Sequence, residues 1–408
     1  MHRRDFVSNL ATGLLLSPTF SPIPHFLSHV LPSVSEPILK RHYFPDKVEI
    51  DSIELLSYKE NFLCRVTSSS GATGISVSNN AQMISLYPIF LNRISPFFIG
   101  RDARDLEQLI EEVYVYRSNY KLQSLALWVP LATLEFAILD MLGRICGRSI
   151  TQLIGEVYHE KISVYQANNF RGMSAEESIE RIVDETREHG AKAVKFKVGG
   201  RMTNPESPVG RSEKLIPMVR EAFGDEMVIY ADANGSYDVE EAIRIGKLME
   251  RSDFDFFEEP VPFDAYEETR KVSMALNIPI AGGEQEPSLR NFRWLIDENA
   301  LDIVQPDIFY FGGMIRSMKV ARLAAEAGKI CTPHISGSGL GYVYMMHFVS
   351  ALPNAGPYHE FKGFNQGIPM TCPTSSLRVE DGSVQVPSGP GLGIEIDPEF
   401  ILRHKPVG

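Results

Sequence analysis

Short apolar runs recur along residues 190–360, and most of them end in a side chain that can ligate a metal ion or move a proton. These endings, in chain order, are Lys195, Lys197, Asp232, Asn234, Glu258, Glu284, Asp307, His334 and Glu360. In a (β/α)8 barrel the carboxyl ends of all strands meet on one face, and catalytic residues come from several of them. We therefore predict that these runs are barrel strands whose endings converge on one site.

The spacing of apolar residues changes along the chain and indicates two kinds of structure. From about residue 161, strand-like runs alternate with amphipathic helices such as 175–190, a pattern typical of βαβ units and a parallel sheet. Residues 48–78 instead alternate in polarity and are broken by glycine, which indicates antiparallel strands, and residues 102–155 have helical periodicity. Strands followed by helices predict an α+β unit before the barrel.

These patterns predict an α/β protein of four parts. We expect a leader and linker at 1–36, an α+β capping domain at 37–157, a (β/α) barrel at 158–372 and a C-terminal segment at 373–408. The last segment contains short strand-like runs separated by Gly/Pro turns. We expect it to fold back onto the capping domain.

The N-terminus resembles a twin-arginine export signal, because Arg3 and Arg4 precede Phe6 and a short apolar stretch. That stretch is too short to span a bilayer permanently, and no second hydrophobic segment follows it that would predict a membrane span. We expect export to the periplasm and no permanent membrane span. A cytoplasmic protein whose tail carries two arginines by chance is the alternative.

Charge and cysteine content exclude two further classes of function. A net charge of -12, with no stripe rich in Lys and Arg to offset it, argues against nucleic acid as a partner. The four cysteines are far apart and show no CxxC spacing, which predicts neither a zinc site nor a disulfide framework.

Three of the strand endings are carboxylates on consecutive strands, namely Asp232, Glu258 and Glu284. Hard divalent ions such as Mg²⁺ prefer oxygen ligands and keep positions for water and substrate. Any one of these residues could be an ordinary turn or surface residue. Together, at the ends of adjacent strands, they predict a metal site.

Two further pairs are suited to proton transfer. Strand alternation places Lys195 and Lys197 on one face, where mutual repulsion and burial would lower a lysine pKa toward neutrality. A solvent-exposed basic strand end is the alternative. Asp307 and His334 follow the next two strands, and a carboxylate bound to a His ring fixes its tautomer and raises its basicity. This set suits the removal of a proton next to a carboxylate, with a metal stabilising the developing charge.

With these motifs (KFK, DAN, EEP, GE, Asp307, His334 and Glu360), residues 48–400 resemble the enolase superfamily, and within it the mandelate racemase-like group. The resemblance implies a modified TIM barrel of (β/α)7β type, with a capping domain completed by the C-terminal segment. It also implies a homo-oligomer that binds one Mg²⁺ per subunit, or Mn²⁺ instead, through Asp232, Glu258 and Glu284.

The resemblance further implies a role for each remaining residue. Lys197 would be one base, and His334 with Asp307 the acid/base on the opposite face. Lys195 would help to hold the substrate carboxylate, Glu360 would hydrogen-bond the carboxylate or enediolate, and Asn234 would assist. Lys195 and Glu360 are thus expected to serve both substrate binding and catalysis.

The reaction expected from this resemblance is dehydration of an acid sugar, such as an aldonate or aldarate, to a 2-keto-3-deoxy acid. A racemase, epimerase or cycloisomerase of a hydroxy or sugar acid is the alternative reaction. A barrel that binds a metal or ligand without catalysis is an alternative of another class. The Gly-rich run at 336–341 leaves a phosphate-binding barrel open as well.

One segment departs from the family pattern. Only Lys59, Glu60 and Asn61 separate the first two predicted strands of the cap, where relatives have a longer mobile loop over the substrate. We therefore expect a more open site that accepts a larger acid, or one covered by residues 37–47 or by a neighbouring subunit.

Overall fold

The computed structural model describes residues 33–188, 190–337, 339–361 and 368–407, and the first of its β-sheets is antiparallel. Its strands β1 (Ile50–Tyr58), β2 (Asn61–Ser68) and β3 (Thr73–Val77) pair in sequence order. The helices that follow are α1 (Asn80–Ile89), α2 (Ser95–Phe98), α3 (Leu106–Val115), α4 (Leu125–Cys146) and α5 (Ile150–Ile154). The twin-arginine-like segment lies outside the described residues, so export remains a prediction.

Helix α4 forms the centre of this cap. It is long and apolar enough to cross a membrane, with 22 residues and a mean hydropathy of 1.7, but 89% of that window is buried inside the protein. Strand β3 packs directly on it, because Gly74 has no side chain to hold the two elements apart. A Cβ at Gly74 would lie 2.1 Å from the carbonyl oxygen of Ala137. The apolar composition of α4 is therefore that of a core helix.

Parallel strands then form the barrel. They are β4 (Lys161–Ala167), β5 (Ala193–Lys197), β6 (Val228–Asp232), β7 (Phe256–Glu258), β8 (Ile280–Gly282), β9 (Ile303–Val304), β10 (Ile330–Cys331) and β11 (His359–Phe361). The intervening helices are α6 (Ala175–Glu188), α7 (Arg211–Phe223), α8 (Val239–Arg251), α9 (Tyr266–Ala275), α10 (Leu289–Asp297), α11 (Met314–Glu326) and α12 (Leu340–Ser350). Strands β4 to β10 pair in order, β11 pairs with β4, and a parallel bridge between Cys331 and Ala355 closes the ring. The (β/α)7β prediction is confirmed.

An aromatic layer fills the barrel beneath its carboxyl end. Tyr230 stacks on Phe256 with ring centroids 3.8 Å apart, and Tyr165 meets Tyr230 edge to face at 5.4 Å. All three rings are almost completely buried. The layer makes the barrel a packed core and gives the strand endings above it a dry floor.

The C-terminal segment contacts both parts of the protein. Strand β12 (Met370–Thr371) pairs with β14 (Glu395–Ile396), whereas β13 (Ser383–Gln385) adds to barrel strand β4. After helix α13 (Pro398–Arg403), strand β15 (Lys405–Pro406) pairs with β1 of the cap. The predicted return to the cap is therefore confirmed, and it follows an antiparallel pairing with the barrel that the sequence analysis did not foresee.

The close approach of β3 to α4 can be tested by adding one methyl group. We expect Gly74→Ala to lower the free energy of unfolding by about 3 kcal/mol, because the new Cβ would overlap backbone atoms that cannot rotate away. Gly71→Ala is the control, since no atom lies within 4 Å of a Cβ there and its φ of +86° alone should cost about 1 kcal/mol. Equal shifts in the thermal unfolding midpoints of the two variants would contradict this packing.

Candidate active site

Three buried carboxylates converge at the end of adjacent barrel strands. Asp232 ends β6, Glu258 ends β7, and Glu284 follows β8. One oxygen from each residue can be chosen so that all three lie within 4.8 Å of one another. Burial raises the pKa of Glu258 to about 7, with Asp232 and Glu284 adding to the shift and Lys195 opposing it. A hard divalent cation fits this set, because it would supply the positive charge that clustered carboxylate oxygens require.

Two lysines of β5 already neutralise part of this charge. The Nζ of Lys195 lies 2.7 and 2.8 Å from the two carboxylate oxygens of Glu258, and Lys197 forms a salt bridge with Asp232. Burial opposes the charge on Lys195, but Glu258 and its other neighbours hold the pKa of Lys195 well above its usual range. The expected lowering is therefore wrong for Lys195, because carboxylates and not the second lysine dominate its surroundings.

Asn234 orients Asp232 from the turn that follows β6. Its backbone N–H donates to Oδ1 of Asp232 at 2.8 Å, and its side-chain amide donates to Oδ2 at 3.2 Å. Burial disfavours the anionic form of Asp232, but Lys197 and Lys195 hold its pKa below the usual range. Asn234 also lines the cavity above, so it can both position the carboxylate and contact a ligand.

Asp307 and His334 form a hydrogen-bonded pair. The Nδ1 of His334 lies 2.7 Å from Oδ2 of Asp307. Asp307 is held in turn by the backbone N–H groups of Phe309, Tyr310 and Ser336, at 2.8, 2.9 and 2.6 Å. An anionic Asp307 with this many donors fixes the ring so that Nε2 faces the carboxylates.

The Nε2 of His334 lies 3.4 Å from Glu284 and 3.6 Å from Glu360. Burial would lower the pKa of His334, but Glu284, Glu360 and Asp307 together raise it to about 9. Glu360 lies on β11 and is buried. The sequence-predicted residues are thus brought together in one cluster, while their individual roles remain predictions.

A cavity of about 800 Å³ opens above this cluster. Lys197, Asn234, Glu284 and His334 line it, whereas Lys195 lies deeper and does not. No lining residue comes from the described part of the cap, and residues 37–47 do not contribute to its wall. The expected open site therefore agrees with the geometry of a single subunit.

Several residues of the site were missed by sequence reasoning. Arg171 and Arg201 line the cavity, and Gln305 donates to Glu258 at 2.8 Å below it. Arg171 could have been found by the rule used for the other strands, which looks for functional side chains just after each strand end (the strand-end rule), because it closely follows β4. Of the other polar residues close to strand ends, Gln285 and Tyr310 line the cavity. The others face different partners: Glu286 contacts Tyr266, Tyr237 contacts Ser212, and Arg316 lies over Trp128.

Ser336, the first residue of the Gly-rich run at 336–341, already has its backbone N–H and its hydroxyl in use. The backbone N–H of Ser336 is used by Asp307, and the Ser336 hydroxyl also donates to Asp307 at 3.1 Å. The same hydroxyl accepts a hydrogen bond of 2.9 Å from Asn79 of the cap. Ser336 thus supports the Asp307–His334 pair.

The charge state of His334 can be measured directly. We expect its imidazole to keep its proton up to about pH 9 in the metal-free protein, and Mg²⁺ to lower that pKa because a cation at the triad offsets Glu284. Asp307→Asn should also lower it. NMR of ring-labelled histidine would follow the titration, with Asp381→Asn, an exposed carboxylate paired with Lys192, as the control. A His334 titration that neither Asp307→Asn nor Mg²⁺ shifts would contradict this assignment.

Metal binding at the triad can be tested without any assay of activity. We expect Mg²⁺ to raise the thermal unfolding midpoint, because a ligand that binds only the folded state stabilises it by mass action. Glu284→Gln should abolish that rise. Glu286→Gln, a buried carboxylate two residues away that contacts Tyr266, should retain it. A rise of equal size in both variants would place the metal elsewhere.

Known proteins resemble the chain along most of its length. A family model described as Enolase C-terminal domain-like matches residues 177–400. The D-galactarolactone cycloisomerase of Agrobacterium fabrum is 30% identical over 339 residues, which cover 80% of this chain and 85% of that protein. The arabinonate dehydratase of Saccharolobus solfataricus is 26% identical over 315 residues, covering 76% and 81%.

Solved structures share the whole architecture. A mandelate racemase/muconate lactonizing protein from Paracoccus denitrificans, crystallised with magnesium, matches with a TM-score of 0.79 and 25% identity. The match covers 88% of this chain and 99% of that one. The family model spans more than half of the residues and includes every strand from β5 to β11. The chain therefore belongs to the enolase superfamily, in its mandelate racemase-like group.

Proposed function

We propose that this protein is a Mg²⁺-dependent acid-sugar dehydratase, which removes the proton next to a carboxylate and eliminates the neighbouring hydroxyl as water. One observation carries the proposal. Lys197 on β5 and His334 after β10 line the same cavity, and the strands that carry the carboxylate triad, β6 to β8, lie between them in the sheet order. Relatives named as acid-sugar dehydratases and a cycloisomerase support an enzyme of this kind.

Asp232, Glu258 and Glu284 would hold the Mg²⁺. When bound, the ion supplies electrostatic stabilisation for negative charge that develops on the substrate carboxylate. Lys195 favours the anionic form of Glu258 and holds its carboxylate in place through two short contacts. Its contact with the substrate carboxylate, expected from the family, would require Lys195 to turn away from Glu258.

Proton transfer follows from the positions of the two cavity residues. Lys197, once it has released its own proton, takes the α-proton at Nζ, and the C–H electron pair forms the enediolate. Protonated His334 then donates from Nε2 to the β-hydroxyl, the C–O bond breaks, and water leaves. The resulting enol loses the proton on its C2 oxygen, takes up a proton at C3 and becomes the 2-keto-3-deoxy acid. The raised pKa of His334, about 9 before a metal binds, favours its acidic role.

A racemase or cycloisomerase is the second candidate, because two proton-transfer groups on opposite sides of one site also suit proton removal and return. The 30% identical relative named as a cycloisomerase supports this second candidate. The first chemical step is the same in both. The reactions differ in the step that follows. A dehydratase expels a hydroxyl as water, a racemase returns the proton, and a cycloisomerase opens or closes a ring.

The dehydratase proposal predicts keto-acid formation that depends on both groups. With Mg²⁺ and a panel of mono- and diacid sugars, we expect a 2-keto acid, detected with semicarbazide. Lys197→Ala and His334→Asn should each lower its rate by about 100- to 10,000-fold, the usual contribution of a general acid or base. Lys214→Ala and His42→Asn, which change exposed residues of the same types, are the matched controls.

Other outcomes would point to the alternatives. Exchange of the α-proton into deuterated water without keto acid would indicate a racemase or epimerase. Conversion of a lactone into an open-chain acid of the same molecular formula, with neither loss nor uptake of water, would indicate a cycloisomerase. Neither exchange nor product, from a protein that still binds Mg²⁺ at the triad, would indicate a barrel that binds ligands without catalysis.

A further inference from the structure

We propose that Arg171 and Arg201 form a binding site for a second anionic group of the substrate, so that the preferred substrates are sugar acids with a carboxylate at each end. The inference rests on the proposed function, because it assigns the first carboxylate of the substrate to the metal triad. It narrows the substrate class from sugar acids in general to dicarboxylates.

Arg171 is a fixed charge on the cavity wall. Its Nε donates to the carbonyl of Gly199 at 3.3 Å, and its Nη2 approaches the carbonyls of Val198 and Asp232 at 3.3 and 3.4 Å. The same Nη2 donates to Oδ1 of Asn234 at 2.9 Å. These acceptors hold the guanidinium in place but are all uncharged. No carboxylate lies within salt-bridge distance of Arg171 among the described residues.

Arg201 lies beside Arg171 on the turn between β5 and α7. Its side chain is exposed, and the part of the chain that the structure describes offers it neither a hydrogen bond nor a carboxylate. Its turn is nevertheless held, since the backbone N–H groups of Met202 and Thr203 donate to the carbonyls of Asn234 and Gly235 at 2.8 and 3.0 Å. Burial lowers the pKa of Arg171; the charge of Asp232 opposes this shift, and the charge of Arg201 adds to it.

Arg171 and Arg201 both line the cavity, and neither forms a salt bridge with a carboxylate of the described residues, although the chain has a net charge of -12. Other arginines do have carboxylate partners, as with Arg244, which contacts both Glu213 and Glu241. Like charges repel, and part of that cost is recovered only when an anion lies between them. A planar guanidinium fork binds carboxylate or phosphate oxygens in bidentate fashion.

The charges that line the cavity also support the binding of a second anionic group. Arg171, Lys197, Arg201 and His334 line the cavity, and Glu284 is the carboxylate among its described lining residues. A bound metal would engage Glu284. When one substrate carboxylate binds at the triad, Arg171 and Arg201, which follow β4 and β5, still lack an anionic partner. A second carboxylate on the same molecule supplies one.

A terminal phosphate ester would present similar oxygens, so the experiment must separate the two anions. We would compare three substrates with Mg²⁺ present: a hexonate, the hexarate that differs by a carboxylate at C6, and the 6-phosphohexonate. The wild-type protein should have its highest kcat/KM for the hexarate. A preference for the phosphohexonate would overturn the dicarboxylate assignment.

Substitution of the two arginines tests the site itself. Arg171→Gln should lower the ratio of kcat/KM for hexarate over hexonate by about 10- to 100-fold, as expected for loss of a charged hydrogen bond. Arg201→Gln should lower it by about 2- to 5-fold, because the Arg201 side chain is exposed to water. The loss should fall mainly on KM, and Arg201→Lys should recover part of it. Arg244→Gln is the matched control and should leave the ratio unchanged. An unchanged ratio in both cavity variants would overturn the proposal.

Direct binding separates this inference from the proposed reaction. In a Lys197→Ala background, calorimetry would measure the Kd of the hexarate with and without Arg201→Gln. Weaker binding in the double variant would support the anion site even if no substrate gave a keto acid. If the wild-type protein turned over substrate but the two variants had equal affinity for the hexarate, the dehydratase proposal would stand and the anion site would be contradicted.

Discussion

The burial of three carboxylates at the ends of adjacent strands is the constraint on which the rest of the site depends. Each carboxylate loses its hydration, a cost of several kcal/mol for an isolated ion, and must be compensated locally. Lys197, Asp232 and Glu258 are direct neighbours across β5, β6 and β7, so the strand register itself brings cation and anions together. A shift of one residue would send these side chains to the other face of the sheet.

The surroundings of this cluster are ordered in layers along the barrel axis. At the bottom, the buried rings of Tyr165, Tyr230 and Phe256 exclude water. Above them, the Nζ of Lys195 lies 5.3 Å from the ring centre of Tyr165 and binds Glu258. At the level of the cavity lie Lys197 and His334. Because the floor is dry, electrostatic interactions among the charged groups are strong.

The strand-end rule found the carboxylate triad and the His334–Asp307 pair because each lies at a fixed position relative to a strand that the apolar pattern reveals. It misjudged Lys195 because alternation predicts the face of a strand and not the depth along it. Two residues along a strand correspond to about 6.6 Å, which separates Lys195 beside Glu258 from Lys197 at the cavity. It missed Arg201 because that residue lies in a turn whose path depends on hydrogen bonds to distant carbonyls.

In the proposed reaction, recognition of the substrate would depend on the barrel loops more than on the cap, because the described cavity wall comes from the barrel. The β1–β2 connection is a tight turn in which Lys59 and Glu60 both have positive φ. Asn79 of the cap reaches the site through its hydrogen bonds to Ser336 and Tyr310. An open mouth leaves rim charges in contact with water, where an ion pair contributes about 0–1 kcal/mol. Discrimination between substrates must then come from charges that are partly buried and held in place. Arg171, anchored on the carbonyls at the ends of β5 and β6, meets both conditions.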